Sequence, residues 1–200
     1  EEYGVKMVMN TEVTPAMVAE AKPDAVIVAT GSNPLVLPIP GINDTGVIHA
    51  GDLLDGKASV GKKVLVVGGG MVGCEVVDFL GELGHEVSVI ELRDQLGPDV
   101  IPEHRKFIMK DFEAYKVQGV TGAKVAQFFT DGVSYTLADG TEGRLEGFDN
   151  VVLAMGYRNN DTISEEIKKI VAETYVIGDA VKARKALDAT AEGLNAALEI

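Results

Sequence analysis

Three glycines at close spacing carry the clearest chemistry in this chain. Gly68, Gly70 and Gly73 fit G-x-G-x-x-G and follow directly on the apolar run at residues 64–67 (VLVV). Glycine at the first position permits a tight turn, and at the second it lets backbone N–H groups close on a phosphate. At the third it lets a helix pack against the strand. Beyond them Val72, Val76, Leu80 and Leu83 recur at helical spacing, and Gly84 is placed to end the helix. A helix N-terminus carries roughly half a positive charge. Gly68, Gly69, Gly70, Met71, Val72 and Gly73 are therefore expected to hold a pyrophosphate.

Glu91 ends the next strand, residues 85–91 (HEVSVIE), about 20 residues beyond the first glycine, as dinucleotide sites require. A carboxylate there can accept both ribose hydroxyls of adenosine and repels a 2′-phosphate, which favours NAD(H) over NADP. Arg93, two residues on, keeps NADP open, since an arginine can receive that phosphate. A solvated strand end is the plainer alternative for Glu91. Glu75 faces a nicotinamide or merely decorates its helix. Cys74 reads as a packing residue rather than a redox thiol, because the chain holds no second cysteine. His49, His85 and His104 share no spacing, and no metal site is expected.

The elements that must position these groups follow from the apolar pattern. Residues 25–29 (AVIVA), 64–67 (VLVV), 151–155 (VVLAM) and 175–177 (YVI) are nearly continuous apolar runs, each with a glycine just beyond it. Such runs suit strands of a parallel sheet covered on both faces, with ligands at their carboxyl ends. Between residues 123 and 147 the pattern alternates instead. Asp131-Gly132 and Asp139-Gly140 read as hairpin turns there, giving an antiparallel meander. Helices are expected near 103–115 and 185–199, the latter with Leu187, Ala191, Leu194 and Leu198 on one face. The fold class is thus α/β, a Rossmann-like parallel sheet with helices on both faces and an added meander. Pro34, Pro38, Pro40 and Gly41 mark one expected hinge, and residues 156–161 a second.

Composition bounds the function. At 200 residues, 46% hydrophobic and 24% charged, the chain has an ordinary globular balance. A net charge of −13 disfavours nucleic acid and anionic membranes as partners, while a dinucleotide held by backbone dipoles is unaffected. No apolar run approaches the roughly 20 residues of a membrane span. With no secretory leader visible and one cysteine, a cytoplasmic location is the expectation.

Three further motifs make a family recognisable. Residues 23–32 (PDAVIVATGS) look like the "ATG" segment of flavoproteins with two dinucleotide-binding domains, and residues 150–158 (NVVLAMGYR) resemble the second such segment. Residues 175–180 (YVIGDA) resemble their C-terminal flavin motif. Within that superfamily GGGMVGCE followed by EVSVIEL is similar to the NADH:flavin oxidoreductase group, which includes 2,4-dienoyl-CoA reductases, 2-enoate reductases and trimethylamine dehydrogenase. Thioredoxin reductases match less well, because this chain reads VIHAGD where they carry a redox C-x-x-C.

The resemblance implies an insertion. Residues 46–155 would form the NAD(P)-binding domain, between flavin-domain fragments at 1–45 and 156–200. It places Thr30, Gly31, Gly178 and Asp179 at FAD and Ala154, Met155 and Gly156 near the nicotinamide. It also implies a relay from NADH to FAD, then through a 4Fe-4S cluster to FMN in a barrel that reduces an enoyl or dienoyl C=C bond. The first flavin-binding strand, the barrel and the cluster's cysteines have no counterpart here. The chain therefore resembles a fragment, expected to be inactive on substrate alone and completed by the remainder of a parent flavoprotein. A non-catalytic ADP-holding module is the alternative. A free-standing NAD dehydrogenase ranks last, since no catalytic His, Lys or Tyr stands out.

Overall fold

The four valine-rich runs are strands, but they do not share one sheet. The computed structural model of the chain describes residues 3–43 and 45–200. It divides into two compact units, one built from Glu1–Asn33 with Tyr157–Ile200 and the other from Pro34–Gly156. Residues 1, 2 and 44 of the expected first segment lie outside the described residues.

In chain order the elements are α1 (Pro15–Ala21), β1 (Ala25–Val28), β2 (Ser32–Pro34), β3 (Ile48–His49), α2 (Ala50–Leu54), β4 (Lys63–Val67), α3 (Met71–Glu82) and β5 (Glu86–Ile90). There follow α4 (Pro102–Tyr115), β6 (Gln118–Val120), β7 (Ala123–Phe129), β8 (Gly132–Leu137), β9 (Glu142–Leu145), β10 (Asn150–Leu153), β11 (Tyr157–Asn159), α5 (Ser164–Ile167), β12 (Glu173–Val176) and α6 (Ala186–Glu199).

The central unit is a parallel five-stranded sheet in the order β3-β10-β4-β5-β6. Strand β4 shows why its sequence is unbroken valine and leucine. Val64 and Val66 face one core cluster with Val76 and Leu80 of α3 and Phe112 of α4. Leu65 and Val67 face another with Phe128 of β7 and Val133 of β8. Because side chains alternate across a strand, a strand covered on both faces must be apolar throughout. The fold is the expected mixed α/β class with a Rossmann-type parallel sheet and an antiparallel meander. The second face of the sheet, however, is covered by the meander rather than by helices.

Residues beyond Asn33 go with this unit because Ile39 and Ile42 pack into the meander-side core and Phe128 N–H donates to the Pro40 carbonyl at 2.8 Å. The compact units thus part at Asn33/Pro34. The meander is β7-β8-β9, and Asp139-Gly140 turns its second hairpin, with Gly140 at φ +85°. In the first hairpin Phe129 pairs with Gly132, so Thr130 and Asp131 make the turn, not Asp131-Gly132. Gly132 is needed for another reason: a Cβ there would collide with the Leu145 carbonyl of β9.

In the other unit β1 and β12 pair in parallel, Ala25 opposite Glu173 through Val28 opposite Val176. Val18 of α1, Val28, Ile167 of α5 and Val171 form its small core. Thr14 caps α1 by accepting from Met17 N–H, and Pro15 suits the first helical turn. On α6 the expected apolar face is exposed, Leu187 at 79% and Leu198 at 76%. Small residues make the contact there instead, Ala196 being buried and Ala189 abutting Gly178. Two strands of the expected single sheet therefore sit in each unit, since sheet membership depends on long-range pairing rather than on the apolarity of a run.

Phe128 is the largest fully buried side chain and fills the space between sheet and meander. Phe128→Ala is expected to cost about 3–5 kcal/mol. Urea denaturation followed by circular dichroism measures this, and a loss below about 1 kcal/mol would show that the meander does not seal the core.

Candidate functional site

The glycine loop between β4 and α3 is shaped by what cannot fit there. Gly68 has φ +104°, and a Cβ on it would strike the Ala154 carbonyl at the end of β10. A Cβ on Gly73 would strike the Gly68 carbonyl, so α3 lies directly on the loop. Gly68 N–H donates to the Ile90 carbonyl and Ala154 N–H to Val67, each at 2.8 Å, which ties the ends of three parallel strands together.

Gly70 is the N-cap residue of α3 and offers no side-chain acceptor. Two loop donors are instead met by carboxylates from further along the chain. Gly69 N–H donates to Glu91 Oε2 at 2.5 Å, and Met71 N–H donates to both Asp99 oxygens at 3.1 and 3.2 Å. Glu91 is buried, 6% exposed, and its Oε1 accepts from Arg93 N–H at 2.8 Å and Arg93 Nε–H at 3.0 Å. An Arg93 Nη2 also lies 3.8 Å from Asp99. Three of the about four acceptor positions of the Glu91 carboxylate are thus filled.

The segment carrying Asp99 is fixed at several points. Gly97 N–H donates to the Gly69 carbonyl at 2.7 Å, Arg105 Nε–H to the Leu96 carbonyl at 2.7 Å, and Val100 is buried. Met71, Val72 and Ala154 pack on the helical core cluster, and Met155 on the meander-side cluster. Gly156, at φ +94°, has open space around it. Glu75 is exposed on α3. Cys74 is buried under the loop, its Sγ 3.5 Å from the Gly69 carbonyl, and burial pushes its thiol up to about 11. Asp78, further along α3, is raised first by burial and then by Asp111. Among the described residues no cluster of three or more metal-ligating side chains occurs, and no helix is long and apolar enough to cross a membrane.

In the other unit the residues expected at a flavin also converge. Thr30 Oγ1–H donates to the Asn160 carbonyl, and Asn160 N–H to Gly31 at 2.9 Å. Asp179 accepts from Ser32 Oγ–H and Arg184 N–H, each at 3.1 Å, while Gly178 N–H donates to Glu192 at 2.7 Å. The Arg184 guanidinium on Glu192 holds that carboxyl below its usual range. Sequence reasoning had found Thr30, Gly31, Gly178 and Asp179. Ser32 closes the 23–32 segment quoted above, whereas Asn160 and Glu192, which hydrogen-bond with these residues, lie in no motif. Sequence reasoning had likewise missed Asp99, eight positions past Glu91, because an aspartate in a loop carries no periodic signal.

The sequence matches the pyridine nucleotide-disulphide oxidoreductase family over residues 2–192. The chain belongs to that family. Its members bind FAD and NAD(P)H. The NADH oxidase of Thermoanaerobacter brockii is 34% identical, with 98% of this chain and 31% of the relative aligned. The cinnamate reductase of Clostridium sporogenes is 28% identical over 91% of this chain and 27% of its own. A solved 2-naphthoyl-CoA reductase in complex with 2-naphthoyl-CoA superposes with TM-score 0.89 at 30% identity, covering 100% of this chain and 30% of that one. The chain thus spans about a third of the length of these relatives. Although the family name refers to disulphides, the lone buried Cys74 of this member can form none within the chain.

A thiol held near 11 is about a hundredfold less ionised at neutral pH than one at the ordinary 9.0. Cys74 in the folded protein is therefore expected to resist iodoacetamide at pH 7, to react faster as pH rises, and to react at the ordinary rate in urea. Rapid labelling at pH 7 without denaturant would contradict its burial under the loop.

Proposed function

We propose that this chain is the pyridine-nucleotide-binding part of a flavin-dependent oxidoreductase that receives hydride from NADH, within a parent protein that reduces an activated C=C bond. The observation that carries this reading is the loop of Gly68–Gly73: two of its N–H groups already hold anionic oxygens, at the N-terminus of a 12-residue helix. A pyrophosphate needs such donors and the same positive end of a helix.

Met71 would present its N–H group to the phosphates while Gly69 N–H stays on Glu91, and the missing side chains of Gly68 and Gly73 keep helix and strand close enough to aim the loop. Glu91 would accept the ribose hydroxyls. With three acceptor positions filled by Gly69 and Arg93, it does so as Arg93 Nε–H gives way. Arg93 lies between two carboxylates, Glu91 and Asp99, whose negative charges offset the one it offers a 2′-phosphate. That supports NADH over NADPH. Ala154, Met155 and Gly156, at the carboxyl end of β10, would border the nicotinamide, and a Cβ on Gly156 would meet no atom within 4 Å beyond its chain neighbours.

Thr30, Gly31, Gly178 and Asp179 would contribute to an FAD site, with Asp179 oriented by Ser32 and the Arg184 N–H to accept from a ribityl hydroxyl. When bound, FAD supplies the hydride-accepting chemistry, and the chain supplies binding and orientation. An enoyl- or dienoyl-type substrate is supported by the relatives named cinnamate reductase and 2-naphthoyl-CoA reductase.

Isothermal titration of the chain with NADH, NADPH and ADP tests this reading. NADH is expected to bind tighter than NADPH, and Glu91→Gln to weaken NADH by about tenfold while narrowing that preference. Tighter NADPH binding by the wild type would reverse the roles given to Glu91 and Arg93. Binding of ADP without any added affinity for NADH would leave a nucleotide-holding module and remove the hydride-donor role.

A further inference from the structure

Met71 N–H is the first free donor of α3, and the chain's own Asp99 occupies it with both carboxylate oxygens. Gly70 cannot cap this helix with a side chain, so the cap comes from across the loop. The contact is held in place rather than incidental. Val100 is buried beside it, Gly97 is hydrogen-bonded to Gly69, and Arg93 reaches towards it from the other side. Asp99 also lies over the glycine that gives a phosphate its approach. A Cβ on Gly70 would come within 3.4 Å of an Asp99 oxygen and 3.0 Å of Arg93 Nη2. The Asp99 side chain nevertheless remains half exposed, at 50%.

From this arrangement, and resting on the nucleotide reading above, we infer that Asp99 is a built-in competitor for the pyrophosphate and sets the affinity of the site. A carboxylate and a phosphate oxygen cannot both occupy one N–H without bringing like charges into contact. Dinucleotide binding therefore displaces the Asp99 side chain, and its partial exposure gives it a path into water that needs no unfolding. As the nucleotide leaves, Asp99 returns to the donors and satisfies the helix end. The site never has to hold an uncapped helix N-terminus, and the bound nucleotide is released more readily than from a loop with free donors.

Asp99→Asn separates this role from simple capping. Asparagine caps a helix as well as aspartate, so stability is expected to hold, while the competing charge is gone. ADP and NADH are expected to bind about fivefold tighter to Asp99→Asn than to the wild type, with Asp99→Ala moving in the same direction. Asp94→Asn removes the same charge from an exposed position in the same segment, and is expected to leave both affinities unchanged. Calorimetric titration of the four proteins with ADP and with NADH decides the matter. Equal affinities for wild type and both Asp99 variants would overturn the inference, as would an equal gain in Asp94→Asn. If neither ADP nor NADH bound any of the four, the nucleotide reading itself would fall, and the competitor with it.

Discussion

Everything at the glycine loop depends on how closely α3 can approach the sheet. At Gly73 the helix rests on the Gly68 carbonyl, and Gly68 in turn rests on the Ala154 carbonyl at the end of β10. Helix, loop and strand are stacked backbone on backbone, with no room for a methyl group at either point. This contact is what points the free N–H groups of α3 outward at the carboxyl edge of the sheet. It also brings the end of β10 alongside the loop, so that Ala154, Met155 and Gly156 lie at the same edge.

Against that framework the charges make sense. The chain carries a net charge of −13, yet its glycine loop gathers carboxylates rather than repelling them. Glu91 is buried among donors from Gly69 and Arg93, and Asp99 sits at the head of the helix. Local dipoles outweigh the distant field because exposed charges are screened beyond about 10 Å, whereas a hydrogen-bonded N–H acts at contact. The same principle explains how an acidic protein can suit a doubly charged ligand.

Much of this was legible in the sequence, and the exceptions share a cause. The loop, α3 and its end at Gly84, and the strand leading to Glu91 are local patterns: glycine spacing, helical periodicity, an unbroken apolar run. Where the outcome depended on distant partners, local pattern was silent or misleading. The runs at 25–29 and 175–177 pair with each other in a separate sheet, because their neighbours are chosen by the chain's path. Gly132 looked like a turn residue, whereas the close approach of β9 is what excludes a side chain there. Leu187, Leu194 and Leu198 have helical spacing but lie exposed, since α6 makes its contacts through alanine and glycine. Asp99 and its link to Met71 could not be read at all, because nothing in LGPDV distinguishes a cap for another element from a solvated loop.

The pairing of β1 with β12 also bears on how the protein is made. Val28 lies opposite Val176, and the entire Pro34–Gly156 unit is encoded between them. At a synthesis rate of about 5–20 residues per second, β1 leaves the ribosome on the order of ten seconds before β12, its strand partner among the described residues, exists. The central unit is contiguous and can close its own core during that interval. The edge of β1 that β12 takes meanwhile stays unpaired, and Val28, buried in the folded unit, has yet to be covered there, so the nascent chain is open to wrong strand pairing at this stage.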